Sequence, residues 1–319
     1  MRRAALTAKK PRAKAAARAR RASDKPIMSC AGDKRTESRD SDKPAASRES
    51  DNAAGPRGSE SLMVNSVDKA LKVMRAFDGS RRRLSLSQIA ERSGLGLSAT
   101  QRFTYTLLQL GYLRKDDASR LYTLSPKTLE FGRRYLQSSE LVERAMPYLL
   151  HLHQSCGETT NLTLLDGEEI VFVSRFLSRN VFNVDVVVGT RLPAFCSAPG
   201  LAMLARLEPD EAEAILRRTD RRAFTTHTVT DLKRILARLA TIRSDGFAIA
   251  YQEIFHGDIS VAAAITDAAG RPEGAINLAS STTRWTLAQA RENFAPMVVA
   301  AAASASSKRG IHSGKEPRS

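Results

Sequence analysis

The chain is poor in cysteine, has no long apolar run, and carries almost no acid over its first 25 residues. Cys30, Cys156 and Cys196 are isolated and odd in number. That pattern suggests neither a disulfide framework nor a zinc site, and it fits a reduced cytoplasm. No stretch approaches the roughly 18 apolar residues that span a bilayer, so no membrane partner is expected. His151 and His153 fall on different faces of one helical segment, and no carboxylate–histidine spacing repeats, so no metal or other cofactor is expected.

What is abundant is positive charge, and it is unevenly placed. The formal net charge is +16. Residues 1–60 hold 16 basic and 8 acidic residues, and residues 61–138 hold 14 and 6. Residues 139–306 hold 16 and 19, and residues 307–319 hold 4 and 1. One part is thus equipped to meet a polyanion while the largest part does something else. The first 25 residues are dominated by Ala, Arg and Lys, with Asp24 as the one acid, and residues 1–60 show no apolar periodicity. They are expected to be a disordered basic tail. They hold no apolar segment of the secretory kind. Two readings stay open: an arm grasping DNA without sequence preference, or an upstream extension not always translated, with Met63 as an alternative start. Residues 307–319 read as a second polar tail.

Ser85 to Leu124 carries the strongest local pattern. Ser85 with Gln88, and Ser98 with Gln101, have the spacing at which a Ser hydroxyl and a Gln side chain cap a helix start reciprocally. Gly94-Leu95-Gly96 lies between the two predicted helices, giving the order of a helix-turn-helix. In the second helix Ala99, Phe103, Leu107 and Leu110 form an apolar stripe. Gln101 and Tyr105 point the other way, flanked by Ser98, Thr100, Arg102 and Thr104, side chains suited to base edges and phosphates. Leu113-Arg114-Lys115 and Arg120 to Leu124 read as a hairpin wing, with Arg114, Lys115 and Arg120 available to phosphates. Taken alone, the second helix is equally well a solvated amphipathic helix. The two caps, glycine turn and basic wing in sequence favour double-stranded DNA.

Ser125-Pro126 starts a predicted linker helix through Leu129 and Leu136. A helix over residues 140–154 follows, with Leu141, Ala145, Tyr148, Leu149 and Leu152 on one side. Strands are predicted at 159–165 and 168–176 around the hairpin signal Asp166-Gly167, then at 180–188, 247–253, 259–266 and 274–279. Helices are predicted at 199–207, 209–218, 230–244 and 287–303. The fold class is α+β: a winged helix-turn-helix over 61–124, a linker helix over 125–138, and a domain over 139–306. In that domain the helices are expected on one face of an antiparallel sheet.

Three blocks resemble the isocitrate-lyase-regulator (IclR) family. They are Gly94-Leu95-Gly96-Leu97-Ser98 with Arg102 and Gly111-Tyr112-Leu113; the run from Gly189 to Gly200; and Gly246-Phe247-Ala248 through Gln252-Glu253 and Gly257 to Ser260-Val261-Ala262. The likeness covers about residues 62–306. It implies a bacterial, nucleoid-associated transcription factor that acts as a homodimer or homotetramer, with a GAF-like effector domain binding a small organic acid. Carried over residue by residue, it implies an effector pocket at Val181, Cys196, Ala198, Pro199, Tyr251, Ser260, Asn277 and Ala279. Backbone amides around Ala198 to Gly200, with Ser260 and Asn277, would hold a carboxylate. Tyr251 stands where many members have Asp, Phe195 where His or Tyr is common, and Leu201 where Lys or Arg is common. These departures point to a larger, more apolar ligand such as an aromatic acid.

Two other functions compete. Cys196, at a helix start, invites comparison with a nucleophilic thiol, but nothing in sequence brings a histidine to it, and no enzyme is expected. The basic tail invites comparison with an architectural DNA coater, which would leave no defined footprint.

Overall fold

The computed structural model describes residues 62–79, 81–179 and 186–307. The expected tails, Cys30, Val181 and most of the strand expected at 180–188 lie outside those residues.

Three helices open the fold: α1 (Asn65–Arg75), α2 (Leu86–Ser93) and α3 (Leu97–Gln109). Ser85 caps α2 as predicted, its hydroxyl accepting from Gln88 N while Gln88 Oε1 accepts from Ser85 N. Gly94 closes that helix in the left-handed region at φ 67°, a conformation that glycine adopts without strain. The second predicted cap is not formed. Gly96 is the N-cap of α3, without a side-chain hydrogen bond, and Ser98 lies inside the first turn. A short hairpin follows, β1 (Leu113–Lys115) against β2 (Tyr122–Leu124), and Leu84 adds a backbone bridge to Tyr122. Val73, Leu84, Ile89, Leu107, Leu113 and Tyr122 form the core of this unit.

Ser125 caps a 3-10 turn (Pro126–Thr128) that leads into α4 (Leu129–Ser138). Beyond it, α5 (Glu140–Cys156) precedes a hairpin of β3 (Thr159–Asp166) and β4 (Glu169–Phe176), with the turn at Gly167-Glu168, one residue later than predicted, because Asp166 pairs with Glu169. On α5, Val142 is buried and Tyr148 is exposed, the reverse of the predicted stripe at those two positions. Residues 186–188 are not in a strand. Thr190 N donates to Val187 O and Val187 N to Thr190 Oγ1, which turns the chain. Short β5 (Arg191–Pro193) then takes the sheet edge.

The helices α6 (Ala198–Leu204), α7 (Pro209–Arg218) and α8 (Leu232–Asp245) come next, then β6 (Ala248–Tyr251), β7 (Asp258–Thr266), β8 (Pro272–Ser281) and α9 (Leu287–Ala305). Strand β6 is shorter than predicted because Gln252 turns out of the sheet at φ 55°. The six strands pair antiparallel in the order β5-β4-β3-β8-β7-β6.

Helices cover both faces of this sheet, not one. Ile259, Val261, Ala263 and Ile265 of β7 pack in a core with α5 and α9. Ala262, Ala250 and Phe172 point the other way, into a core with α6, α7 and α8. A strand alternates faces at every residue, so both sides of β7 are apolar and each demands a cover. Glycine at 200 allows α6 to lie close to the preceding turn. A Cβ there would sit 2.3 Å from Ala194 O.

Candidate functional site

On α3, Gln101, Arg102 and Ser98 are exposed, and Tyr105 keeps 63% of its surface in solvent. Thr100 and Thr104, expected beside them, are buried instead. Thr100 Oγ1 donates to Gly96 O at 3.0 Å and Thr104 Oγ1 to Thr100 O at 2.8 Å, so neither hydroxyl needs a partner outside the helix. The inner stripe therefore runs through Thr100, Phe103, Thr104 and Leu107, with Ala99 half-buried, while Leu110 is exposed at the C-cap. The periodicity is helical either way. A Thr that bonds its own helix simply packs as a small apolar residue.

The wing stands beside this face. A cleft is lined by Gln101, Arg102 and Tyr105 of α3 together with Lys115 and Tyr122 of the hairpin. Lys115 Nζ lies 5.2 Å from the Tyr122 ring centroid, which holds its charge over the cleft. Asp116 fastens the wing turn by accepting from Ser119 N and Oγ at 2.7 and 2.6 Å, and these bonds lower its pKa. Arg120 is exposed and held at φ 60° by that turn, and Arg114 is exposed on β1. Sequence reading passes over Arg81, Arg82 and Arg83, which are exposed on the segment leading to the Leu84 bridge. Their position next to β2 depends on a single backbone bridge that no local pattern announces.

The second site is a cavity between the sheet and α6. Cys196, Ala198, Pro199, Ser260, Asn277 and Ala279 line it, as expected, while Tyr251 does not. Tyr251 pairs with Ile259 and packs on the α5–α9 side, its ring meeting His227 edge-on at 5.6 Å. Its neighbour Ala250 faces the cavity instead. Phe195 and Leu201 are fully enclosed in the core with α6.

The anion-holding amides expected at α6 are largely occupied. Ser197 Oγ accepts from Gly200 N at 3.3 Å, Ser197 O accepts from Leu201 N at 2.9 Å, and Pro199 has no N–H. A cation that sequence reading misses stands elsewhere on the wall. Arg175 of β4 lines the cavity, with no carboxylate among the described residues in ion-pair contact. Its Nη1 donates to Val186 O, its Nε is buried without a partner, and its guanidinium lies 5.5 Å from the Phe172 ring centroid. Burial lowers its pKa.

Across the sheet from Arg175 run Asn161 and Asn277, each the register partner of the next. Asn277 Nδ2 donates to Ser260 Oγ at 3.0 Å, and the Oδ1 atoms of both Asn residues are buried without partners. The far end of the cavity is acidic. Arg238 Nη1 reaches Glu253 Oε1 at 2.7 Å, while Glu253 Oε2 is buried and unpartnered. Burial raises the Glu253 pKa, with Arg238 opposing it. Asp258 keeps some solvent access as a residue, yet burial pushes its carboxyl up to about 7. Thr225 and Thr228 donate to the backbone carbonyls of Gln252 and Glu253, both at 2.6 Å, and so fix the loop after β6. Cys196 is wholly buried, and burial, reinforced by the Glu253 charge, raises its thiol pKa far from thiolate. A protonated, enclosed thiol is a poor nucleophile.

Residues 66–117 match the IclR helix-turn-helix domain, and residues 133–307 match the bacterial transcriptional regulator IclR C-terminal domain. The chain belongs to the IclR family of transcriptional regulators. Among its relatives, the Pca regulon regulatory protein of Pseudomonas putida is 33% identical over 75% of this chain and 81% of its own. The p-hydroxybenzoate hydroxylase transcriptional activator of Acinetobacter baylyi is 30% identical over 68% of this chain and 81% of its own. A crystal structure of a transcriptional-regulator homologue from Rhodococcus sp. RHA1 superposes with a TM-score of 0.68 at 34% identity, covering 76% of this chain and 97% of that one. This IclR-family chain is thus a DNA-binding regulator in which α2 and α3 form the helix-turn-helix and the β1–β2 hairpin follows it as a wing. No helix among the described residues is long and apolar enough to cross a membrane.

Proposed function

We propose that this regulator reads its operator with Gln101, Arg102, Tyr105 and Ser98 and steadies itself on phosphates with Arg114, Lys115 and Arg120, while a small organic acid in the sheet–α6 cavity sets its occupancy. The observation that carries the second half is Arg175, a cation on a cavity wall with no ion-paired carboxylate among the described residues. An incoming carboxylate supplies that partner. The apolar wall of Ile170, Phe172, Leu192 and Phe255 suits an aromatic ring. The relative from Acinetobacter baylyi, named for activating p-hydroxybenzoate hydroxylase, supports the same ligand class. The binding energy acts on DNA only if the acid favours one arrangement of the protein over another. Footprinting on the intergenic DNA beside the protein's own gene, repeated with aromatic and aliphatic acids, tests both halves. An architectural coater would leave no defined protected site. A site that no acid alters would remove the effector reading.

A homodimer or homotetramer completes the proposal. On α4, Leu129, Phe131 and Tyr135 keep 72%, 63% and 50% of their surface exposed, and Val67 and Leu71 of α1 keep 56% and 48%. A second copy is the occupant proposed, because helix-turn-helix proteins read paired half-sites about one helical turn apart. Sedimentation of the full chain and of Phe131→Glu checks this: a monomeric wild type would sink it.

A further inference from the structure

We infer that the cavity is built for a two-ended ligand, taking a carboxylate at Arg175 and a hydroxyl donor at Glu253, so that it selects hydroxy monocarboxylic acids against dicarboxylic acids. The inference rests on the cavity being the effector site, but it assigns a polarity and a selecting residue that this reading alone does not contain.

The two ends are distinct in chemistry and in place. Arg175 enters from β4, and its Nε is a buried donor without an acceptor. Its direction comes from a bulge. Thr163 pairs with Phe172 but Leu162 pairs with Ser174, so Val173 is the extra residue on β4. Strict alternation would send Phe172 and Arg175 to opposite faces, whereas one inserted residue brings both to the cavity. Glu253 enters from the loop after β6, three strands beyond β3 in the sheet order. Its Oε1 is held from outside the cavity by Arg238, which is not on the wall, and its buried Oε2 is left as an acceptor.

Asp258 closes the same end, since Gln252 N donates to Asp258 O at 2.8 Å and ties the two sides of that loop together. The Glu253 carboxylate at that end would repel a second carboxylate of the ligand inside a poorly hydrated space. A hydroxyl in that place donates to Oε2 and relieves an acceptor that is otherwise unsatisfied. Between the ends, Asn161 and Asn277 each present an unpartnered carboxamide oxygen able to accept from a donor on the ligand.

Three acids of one shape separate the possibilities: benzoate, 4-hydroxybenzoate and terephthalate, measured by calorimetry on the full chain. The hydroxy acid is expected to bind about tenfold to a hundredfold tighter than benzoate, the range of a hydrogen bond to a charged acceptor. Terephthalate is expected to bind more weakly than benzoate. In Glu253→Gln the advantage of the hydroxyl should shrink and the penalty on terephthalate should ease, whereas Arg175→Met should weaken all three acids alike.

Terephthalate binding as tightly as 4-hydroxybenzoate would overturn the polarity while leaving the effector reading intact, as would a hydroxyl advantage unchanged in Glu253→Gln. Absence of binding by all three acids would remove the effector reading and this inference together. Circular dichroism of both variants guards against loss of fold. Because Glu253→Gln strands Arg238, Glu253→Gln/Arg238→Met provides a second background, in which the same loss of hydroxyl preference is expected.

Discussion

Asn161 and Asn277 stand directly opposite one another on β3 and β8, and the carboxamide oxygen of each is buried without a hydrogen-bond partner. Leaving a buried acceptor unmade costs about 1–3 kcal/mol. In a protein core that cost has no return, but at a binding site it is recovered when a ligand arrives. Asn161→Leu, of nearly the same shape, should therefore leave stability unchanged or raise it by about 1 kcal/mol. It should also weaken effector binding by about tenfold. Urea unfolding and calorimetry on the same preparation check the pair. A variant that loses stability by more than about 1 kcal/mol would show that Asn161 serves the fold.

Neighbouring positions on α3 should behave in opposite ways. Tyr105 is exposed on the reading face, whereas Thr104 is 1% exposed and bonded to Thr100 O. Tyr105→Ala is expected to cost about 1–3 kcal/mol on the operator and little on random DNA. Thr104→Ala is expected to lower stability by about 1 kcal/mol, through poorer packing and a missing hydrogen bond. It should leave the ratio of operator to random binding unchanged. A specificity loss in Thr104→Ala would return that hydroxyl to the reading surface.

Much of the local grammar is legible in the sequence because its cause is local. The Ser85 cap, the hairpin signalled by Asp166-Gly167 and the start of α7 at Pro209 each depend on a few adjacent residues; the cap and the helix start form as expected, and the hairpin forms with its turn one residue later. What escapes depends on partners far away in sequence. Arg175 meets the cavity only because of an irregularity in β4, a feature that alternation cannot reveal. Asn161 and Asn277 become neighbours through a strand register set by the whole sheet. Resemblance to a family position puts Tyr251 in the pocket, yet its pairing with Ile259 turns its ring to the other face. Position 98 shows the converse limit. The spacing Ser98 to Gln101 permits a capping box, but Gly96 already starts the helix two residues earlier.

The basic wing should act without regard to sequence. Arg114 and Arg120 are exposed, so each can neutralise a phosphate and release counterions. Arg114→Ala should weaken operator and random DNA together and flatten the salt dependence by about 0.9 in slope for each phosphate no longer neutralised. Arg120 calls for a different replacement, because its φ of 60° favours glycine. Arg120→Gly should keep the wing folded while still lowering affinity on both DNAs. Fluorescence anisotropy across a salt series reads the slopes. An unchanged slope in both variants would mean that the wing does not touch the backbone.

Asp258 should leave a signature in the pH dependence of stability. Burial raises its carboxyl from the ordinary value of 3.8 to about 7, so the folded chain holds that proton more tightly than the unfolded chain does. Protonation therefore favours the native state. The contribution is fully present below about pH 4, is lost as pH rises toward 7, and stays constant above that. At one unit per about 1.4 kcal/mol the loss is bounded by roughly 4 kcal/mol, and it is smaller where water reaches the carboxylate. A carboxamide has no such proton to lose, so Asp258→Asn removes this slope while Glu253 and the ion pairs remain in both proteins. The stability of Asp258→Asn relative to wild type should accordingly grow between pH 4 and pH 7 and then level off. Urea midpoints at intervals across pH 4–8 measure it. A difference that stays flat, or that narrows as pH rises, would show that this carboxyl is ionised in the folded protein throughout the range.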